Sequence, residues 1–141
     1  MIQIKEASPF VAREVMKNAY FTNRVGAEDK LKECLYRSTV RMAAYVDDEL
    51  ACLWGLAPES ILSSQAYLWL VTTDTAMEHK FLLVRYSQMF VDRALENYET
   101  LVGHCEAGNL PAKRWVKWLG GEFGDGDGKV VPFVIRRKNN G

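Results

Sequence analysis

The chain has 141 residues, 48% of them apolar, so it is long enough to bury a hydrophobic core without disulfide or metal cross-links. The 18 lysines and arginines balance the 18 aspartates and glutamates, which excludes an overall field that attracts nucleic acid or an anionic membrane. The 3 cysteines are widely spaced with no CxxC pair, which favours reduced thiols over a disulfide framework and shows no zinc-site motif. We expect one soluble, cytoplasmic domain over residues 1–141.

The first part of the chain predicts a strand followed by two helices. Residues 2–5 alternate between apolar and polar, which is typical of a short strand with one buried face. Ser8-Pro9 is a typical helix start, and this helix is predicted to run to about Ala19. Residues 27–37 predict a second helix, with acids early and bases late as the helix dipole favours. The amino terminus is too mixed in polarity for a signal peptide, and no apolar run approaches the ~20 residues of a membrane helix.

A hairpin is predicted next, with strands over residues 39–46 and 49–56 joined by a tight polar turn at Asp47-Asp48. Residues 57–65 include a proline and three serines and predict a surface loop. Alternate residues of a strand point to the same face, so we expect one face of the second strand to carry Leu50, Cys52, Trp54 and Leu56.

The stretch 66–123 is the part around which the predicted fold is organised. A strand buried on both faces, followed by a helix long enough to cross the sheet, predicts a parallel partner strand. We expect the turns 72–80 and 106–109 to be the informative places, because sites in such sheets lie where strands end. The predicted elements are strand 66–72, helix 76–97, strand 100–106 and helix 110–119.

The long helix carries a wide apolar surface, and we expect this surface to pack against the sheet. After the last helix, Gly120-Gly121 predicts a stop, and strands 122–124 and 129–136 predict a closing antiparallel hairpin. The order β-α-α-β-β-β-α-β-α-β-β predicts a single α/β domain with a mixed seven-stranded sheet and helices on both faces. The apolar residues of the long helix are Phe81, Leu82, Leu83, Tyr86, Met89, Phe90 and Ala94.

This order, with the sequence NLPAKRWVKWLGGEF over residues 109–123, resembles the GNAT superfamily of acyl-CoA-dependent N-acyltransferases. In that superfamily the last helix opens with asparagine and ends near Leu-Gly-Phe. The segments 69–74, 94–98 and Gly108-Asn109 also resemble the small GNAT-like proteins of short-tailed bacteriophages, one branch of which is called internal virion protein A. The resemblance implies the GNAT fold and acetyl-CoA or another acyl-CoA as cofactor.

The resemblance places the cofactor at the turn after strand 66–72, where a glycine-rich sequence cradles the coenzyme A pyrophosphate with backbone amides. By position, the cofactor-binding residues are Val71, Thr72, Met77, Glu78, His79, Lys80 and Asn109. Here Met77 and His79 occupy the two glycine positions and Asp74 occupies the basic position. Side chains at those positions crowd a pyrophosphate and Asp74 repels it, whereas the backbone amides of residues 77–80 and the charge of Lys80 still favour an anion. The cofactor is therefore an acyl-CoA if this turn still binds it, and none if the turn is degenerate.

The resemblance also implies a tyrosine in the last helix that protonates the departing thiolate. Trp115 occupies that position, and its indole N–H is not a useful acid. Glu106, at the end of its strand, is the candidate catalytic base for the acceptor amine, and a solvated carboxylate at a strand end is the alternative. Asn109 is predicted to cap the last helix.

Other chemistry-bearing residues have structural interpretations. His104 and Cys105 are adjacent on a strand, so their side chains point to opposite faces and cannot form a thiol–imidazole pair. His79 is predicted to be a solvent-exposed or capping residue. The sequence DGDG at 125–128 lacks the further ligands of a calcium loop and predicts a turn with no metal. Trp118 is the tryptophan expected to be partly exposed, beside bases that form either an anionic-partner surface or a solvated face: Lys113, Arg114, Lys117, Arg136, Arg137 and Lys138.

Two functions follow from the resemblance. In the first, the scaffold is kept with weak or lost acyltransferase activity, and the protein is a virion or assembly component or binds a host protein. Its partner is then a phage or host protein, with neither nucleic acid nor membrane as partner, and its location is the host cytoplasm or the virion. In the second, the chain is an active N-acyltransferase that modifies a protein or small-molecule amine. The missing glycines favour the first.

Overall fold

The computed structural model describes residues 2–8 and 27–137, so the helix predicted to end at Ala19 and the base Lys138 lie outside the described residues. Within these ranges the chain forms seven strands and four helices. The strands are β1 (Ile2–Glu6), β2 (Val40–Val46), β3 (Glu49–Pro58), β4 (Gln65–Thr72), β5 (Thr100–Glu106), β6 (Gly121–Phe123) and β7 (Val130–Arg136). The helices are α1 (Ala27–Arg37), α2 (Asp74–Glu78), α3 (Lys80–Asn97) and α4 (Leu110–Trp118).

The strands form one mixed seven-stranded sheet in the order β1-β2-β3-β4-β5-β7-β6. Strands β4 and β5 are parallel, with Gln65 opposite Thr100 and Tyr67 opposite Val102. The pairs β1–β2, β2–β3, β5–β7 and β6–β7 are antiparallel. The predicted α/β class, the seven-stranded sheet and the parallel pairing of β4 with β5 are therefore confirmed.

The chain divides into two compact units, and the first comprises residues 1–57 and 69–83. Its hairpin turns at Asp47 and Asp48, both of which have positive φ (49° and 67°), a conformation that aspartate tolerates better than most residues. The Trp69 side chain is buried at 6% exposure, and its indole N–H donates to Ser38 Oγ at 2.7 Å. A buried tryptophan thus has its one polar atom satisfied.

The second unit comprises residues 58–68 and 84–141. Its core includes Leu101 at 0% exposure and Ile135 at 1%, which are directly opposite each other on β5 and β7. Helix α4 ends where predicted, since Gly120 has φ of +92°, which stops a helix without strain. Val116 packs against Gly121, where a Cβ would lie 2.4 Å from Val116 Cγ1.

The structure corrects three predictions. The helix predicted over 76–97 is two helices, because His79 (φ −120°, ψ 31°) interrupts it. The buried residues Ala76 and Leu83 are seven apart, a spacing that also fits an unbroken helix, so the pattern could not reveal the break. Leu50 does not share a face with Cys52, because a β-bulge shifts the register between them.

The third correction concerns the wide apolar face expected on α3. The helix buries a narrower stripe, which includes Leu83, Val91 and Ala94. Phe81 is 80% exposed and Met89 60% exposed, so these two side chains do not pack against the sheet. Hydrophobicity alone therefore overestimated the buried surface of this helix.

Candidate functional site

The chain leaves β4 through Thr73, which is buried and fixed to β3. Its hydroxyl lies 2.7 Å from the carbonyl oxygen of Leu50 and 2.9 Å from that of Ala51, to which its backbone N–H also donates at 2.9 Å. The predicted cofactor residues Val71 and Thr72 lie just before this anchor, at the end of β4, and are half-buried. The end of β4 is therefore held against β3 by hydrogen bonds.

A short helix forms the turn after β4, where the resemblance places the cofactor. Residues Met77 and Glu78 lie in α2, His79 is its C-cap, and Lys80 begins α3. The N–H of Ala76 donates to Thr73 O at 3.1 Å, and the N–H of His79 donates to Ala76 O at 3.2 Å. The prediction of His79 as a capping residue is confirmed. The N–H groups of Ala76 and His79 are both hydrogen-bonded to carbonyl groups within the turn itself.

Glu106 and Asn109 lie together in the second unit. The Asn109 N–H donates to Glu106 O at 3.0 Å, and Asn109 Oδ1 accepts from the Ala112 N–H at 3.2 Å. Asn109 is the N-cap of α4, as predicted, and this role fully accounts for its side chain. Glu106 is half-buried at the end of β5.

The structure distributes the predicted site residues over the two units. Glu106 and Asn109 belong to the second unit. Their roles in catalysis and cofactor binding stay predictions. The other six belong to the first unit and follow one another along the end of β4, α2 and the start of α3: Val71, Thr72, Met77, Glu78, His79 and Lys80.

Trp115, at the position where the resemblance implies a tyrosine, forms a hydrogen bond with a hydroxyl on α3. Its indole N–H donates to Ser87 Oγ at 2.7 Å, and the Ser87 hydroxyl donates to Val84 O at 2.6 Å. The indole proton is thus engaged in a hydrogen bond between α4 and α3. Trp115 serves here to join two helices, and sequence reasoning missed Ser87 because nothing in the pattern of α3 identifies its partner.

Sequence reasoning also missed a polar pair on β4 and β5. Tyr67 Oη and His104 Nδ1 are 3.2 Å apart, and the ring centroids are 5.7 Å apart. His104 is exposed and Cys105 is buried, which confirms that they point to opposite faces. Burial raises the pKa of the Cys105 thiol, although the nearby Lys113 acts in the opposite direction. Only the parallel register brings Tyr67 beside His104, so a residue pattern could not have found the pair.

The DGDG segment is a turn, as predicted. Asp127 Oδ1 accepts from the N–H groups of Lys129 and Val130, each at 2.9 Å, and these hydrogen bonds lower the pKa of the Asp127 carboxyl. Within residues 2–8 and 27–137, no group of three or more His, Cys, Asp or Glu side chains is placed to hold a metal ion. Nor does that part of the chain contain a helix long and apolar enough to cross a membrane.

No protein-family model matches the chain, and no curated protein matches it by sequence. Solved structures do match it. The ribosomal-protein-S18-alanine N-acetyltransferase from Escherichia coli is 14% identical with a TM-score of 0.75, over 100% of this chain and 97% of that one. Ard1 from Thermoplasma volcanium is 14% identical with a TM-score of 0.77, over 98% and 99%. A Bacillus subtilis acetyltransferase in complex with CoA is 13% identical with a TM-score of 0.65, over 97% and 98%.

These likenesses cover almost the whole chain, although few residues are identical. At such identity a shared fold does not carry over a substrate or an activity. The order of strands and helices, the parallel β4–β5 pair and the structural neighbours together show that the chain has the GNAT fold of N-acetyltransferases.

Proposed function

We propose that the chain is a GNAT-fold protein with weak or lost acyltransferase activity, which acts by binding a phage or host protein. The observation that carries this proposal is the short helix α2, which forms the turn where the resemblance places the pyrophosphate of coenzyme A. Within that role, the resemblance to small phage proteins favours a virion or assembly component.

Binding a pyrophosphate requires amides that point at the anion and a backbone that can approach it closely. The amides of Ala76 and His79 donate to carbonyl groups of the turn instead. No glycine lies between Gly55 and Gly103, so a side chain stands at every position of the turn. These two occupied amides and the side chain at every position of the turn argue against binding of the pyrophosphate of an acyl-CoA.

Trp115 supports the same conclusion. An indole N–H does not release its proton at physiological pH, and this one already donates to Ser87 Oγ. A residue that protonates a departing thiolate needs an acidic proton within reach of it. The turn after β4 and Trp115 thus both make internal hydrogen bonds at the positions where the resemblance implies cofactor binding and proton transfer, which supports the proposal.

Large exposed apolar side chains support a role in protein binding. Leu110 and Trp118 on α4 are 56% and 55% exposed, and Ile61 and Leu62 in the β3–β4 loop are 95% and 91% exposed. Scattered apolar residues are ordinary on a surface, but tryptophan exposed beside cations is typical of protein interfaces.

Calorimetric titration with acetyl-CoA and with coenzyme A tests the proposal, with the Escherichia coli S18-alanine acetyltransferase as positive control. We expect no heat of binding at millimolar ligand and no change in Tm. A ligand bound at a hundredfold excess over its Kd stabilises a protein by about 2.7 kcal/mol, so micromolar binding cannot escape detection by melting. Micromolar binding together with thiol release in the presence of an amine would overturn the proposal.

The Tyr67–His104 pair favours a second candidate, an active N-acyltransferase. If the His104 Nδ1–H donates to Tyr67 Oη, then His104 Nε2 is free to accept a proton from an amine. Glu106 on the same strand is the other candidate base. Activity that falls at least tenfold in His104→Ala but is kept in Glu106→Gln would support this candidate and assign the base to the imidazole.

A further inference from the structure

The outward side of α4 combines exposed apolar and charged side chains. Leu110, Arg114, Lys117 and Trp118 are spaced at i, i+4, i+7 and i+8, which places them on one side of the helix. All four are exposed, and no residue of α4 is buried. We call these four residues the α4 outer face. It joins two large apolar side chains with two cations between them.

The cations of the α4 outer face have no counter-ions among the described residues. Helix α4 contains three bases and no acid. Lys113 lies near Cys105, on whose pKa it acts, whereas Arg114 and Lys117 project outward. Within residues 2–8 and 27–137, neither of these two side chains makes an ion pair or a hydrogen bond. Their charges are therefore available to a partner.

We propose that the α4 outer face binds an acidic segment of a partner protein that carries apolar residues at helical spacing. The inference rests on the proposed protein-binding function and names the surface and the partner's chemistry. Carboxylates of the segment pair with Arg114 and Lys117, and its apolar residues cover Leu110 and Trp118. Trp and Arg are among the residue types enriched at the positions that dominate binding energies at protein interfaces.

The same observations argue against nucleic acid and membrane as the occupant. The whole chain has zero net charge, and nucleic acid binding draws on many phosphate contacts from a broad basic surface. Two outward cations on a helix of nine residues, which spans about 14 Å, suit a short protein segment. Stable attachment to an anionic membrane likewise needs a larger basic and apolar area.

Fluorescence anisotropy measures this binding directly. The probe is a fluorescein-labelled amphipathic peptide of Glu and Leu at helical spacing, and the comparison peptides replace Leu by Ser, or Glu by Lys. We expect saturable binding of the Glu/Leu peptide only, weakened as salt rises from about 0.05 to about 0.5 M because exposed charges are then screened.

Two variants and two matched controls locate the binding. Arg114→Glu/Lys117→Glu and Trp118→Ala should each raise the Kd by at least about tenfold, the effect expected at an interface residue that contributes strongly. Arg85→Glu/Arg93→Glu makes the same charge change on α3, and Tyr36→Ala removes an aromatic that is 88% exposed on α1. Both controls should bind like the parent. Equal Tm values for the variants show that the fold is kept.

Binding of the Glu/Ser peptide as tight as that of the Glu/Leu peptide, or a Trp118→Ala variant that binds normally, would overturn the inference and leave only unspecific charge attraction. Preference for an oligonucleotide or for anionic vesicles over the Glu/Leu peptide would overturn it as well. Each experiment is made without coenzyme A. Loss of this inference therefore leaves the result of the acetyl-CoA titration untouched, and the two proposals can fail separately.

Discussion

Replacing Gly103 with alanine is expected to destabilise the second unit severely. Gly103 lies in β5, opposite Phe133 of β7 and beside the carbonyl of Leu68 in β4. A Cβ built at this position would lie 2.4 Å from Phe133 Cζ, 2.8 Å from Phe133 Cε2 and 2.7 Å from Leu68 O. Contacts this short require atoms to move, and one of the three is a backbone oxygen.

The size of the destabilisation depends on which of the contacted atoms can move away from the new methyl group. An extra methyl group in a packed core costs about 1–3 kcal/mol, and we expect about 3 kcal/mol because the Leu68 carbonyl belongs to a strand and cannot rotate away. At about 2–4 °C per kcal/mol, Tm should fall by roughly 6–12 °C. Adding Phe133→Leu removes the ring contacts but leaves the carbonyl contact, so it should relieve only part of the strain.

Gly108→Ala is the matched control, because a Cβ at Gly108 meets nothing within 4 Å. It should leave the free energy of unfolding unchanged or raise it by about 0.4–1 kcal/mol, since alanine restricts the unfolded chain. Urea unfolding at equilibrium measures both variants against the parent, provided the m-value is the same. A Gly103→Ala variant within about 0.5 kcal/mol of the parent would refute the close packing of β4, β5 and β7 at this position.

Further outcomes are expected at three residues. Ser38→Ala should lower the free energy of unfolding by about 1–3 kcal/mol, because it leaves the buried indole N–H of Trp69 without an acceptor. Asn109→Ala should cost about 1 kcal/mol through loss of the N-cap of α4, measured by thermal melting. Burial raises the pKa of Cys52 to about 12, so at pH 8 it should react with iodoacetamide roughly a thousandfold more slowly than a thiol of pKa 9. Because the folded protein disfavours the Cys52 thiolate, this group should leave the free energy of unfolding unchanged below about pH 9 and lower it as the pH rises towards 12.

Each of these has a control. Trp69→Phe in the Ser38→Ala background removes the orphaned N–H, so the two changes together should cost less than their sum. Asn109→Asp keeps an acceptor for the Ala112 N–H and should melt near the parent temperature. Cys52→Ala should flatten the decline of stability above about pH 9. An unchanged decline would show that other groups cause it.

Local sequence signals predicted the features that depend on only a few neighbouring residues. Asn109 as N-cap, Gly120 as helix stop and Asp47-Asp48 as hairpin turn each depend on the backbone conformation of that residue and its nearest neighbours. The bounds of α1 and β5 were also predicted correctly. The break at His79 was not, because the apolar spacing across it fits one continuous helix as well as two.

Some features of the candidate site could also be predicted from the sequence, and others could not. The absence of glycine between Gly55 and Gly103 could be read directly from the sequence, and so could the tryptophan at position 115. The hydrogen bonds of the α2 amides could not be predicted from the sequence, since they depend on the helical turn that the chain forms after Thr73. The acceptor for the Trp115 indole N–H could not be predicted either, because it lies 28 residues earlier on another helix.

The sequence by itself determined the order of the strands, the caps and turns between elements, and the absence of glycine between Gly55 and Gly103, because each is a property of neighbouring residues. Only the tertiary structure decided which side chains meet across strands and helices, as Tyr67 meets His104, and which apolar residues of α3 stay exposed. The physical reason is that register and packing depend on distant parts of the chain competing for the same buried surface, and a local pattern contains no information about that competition.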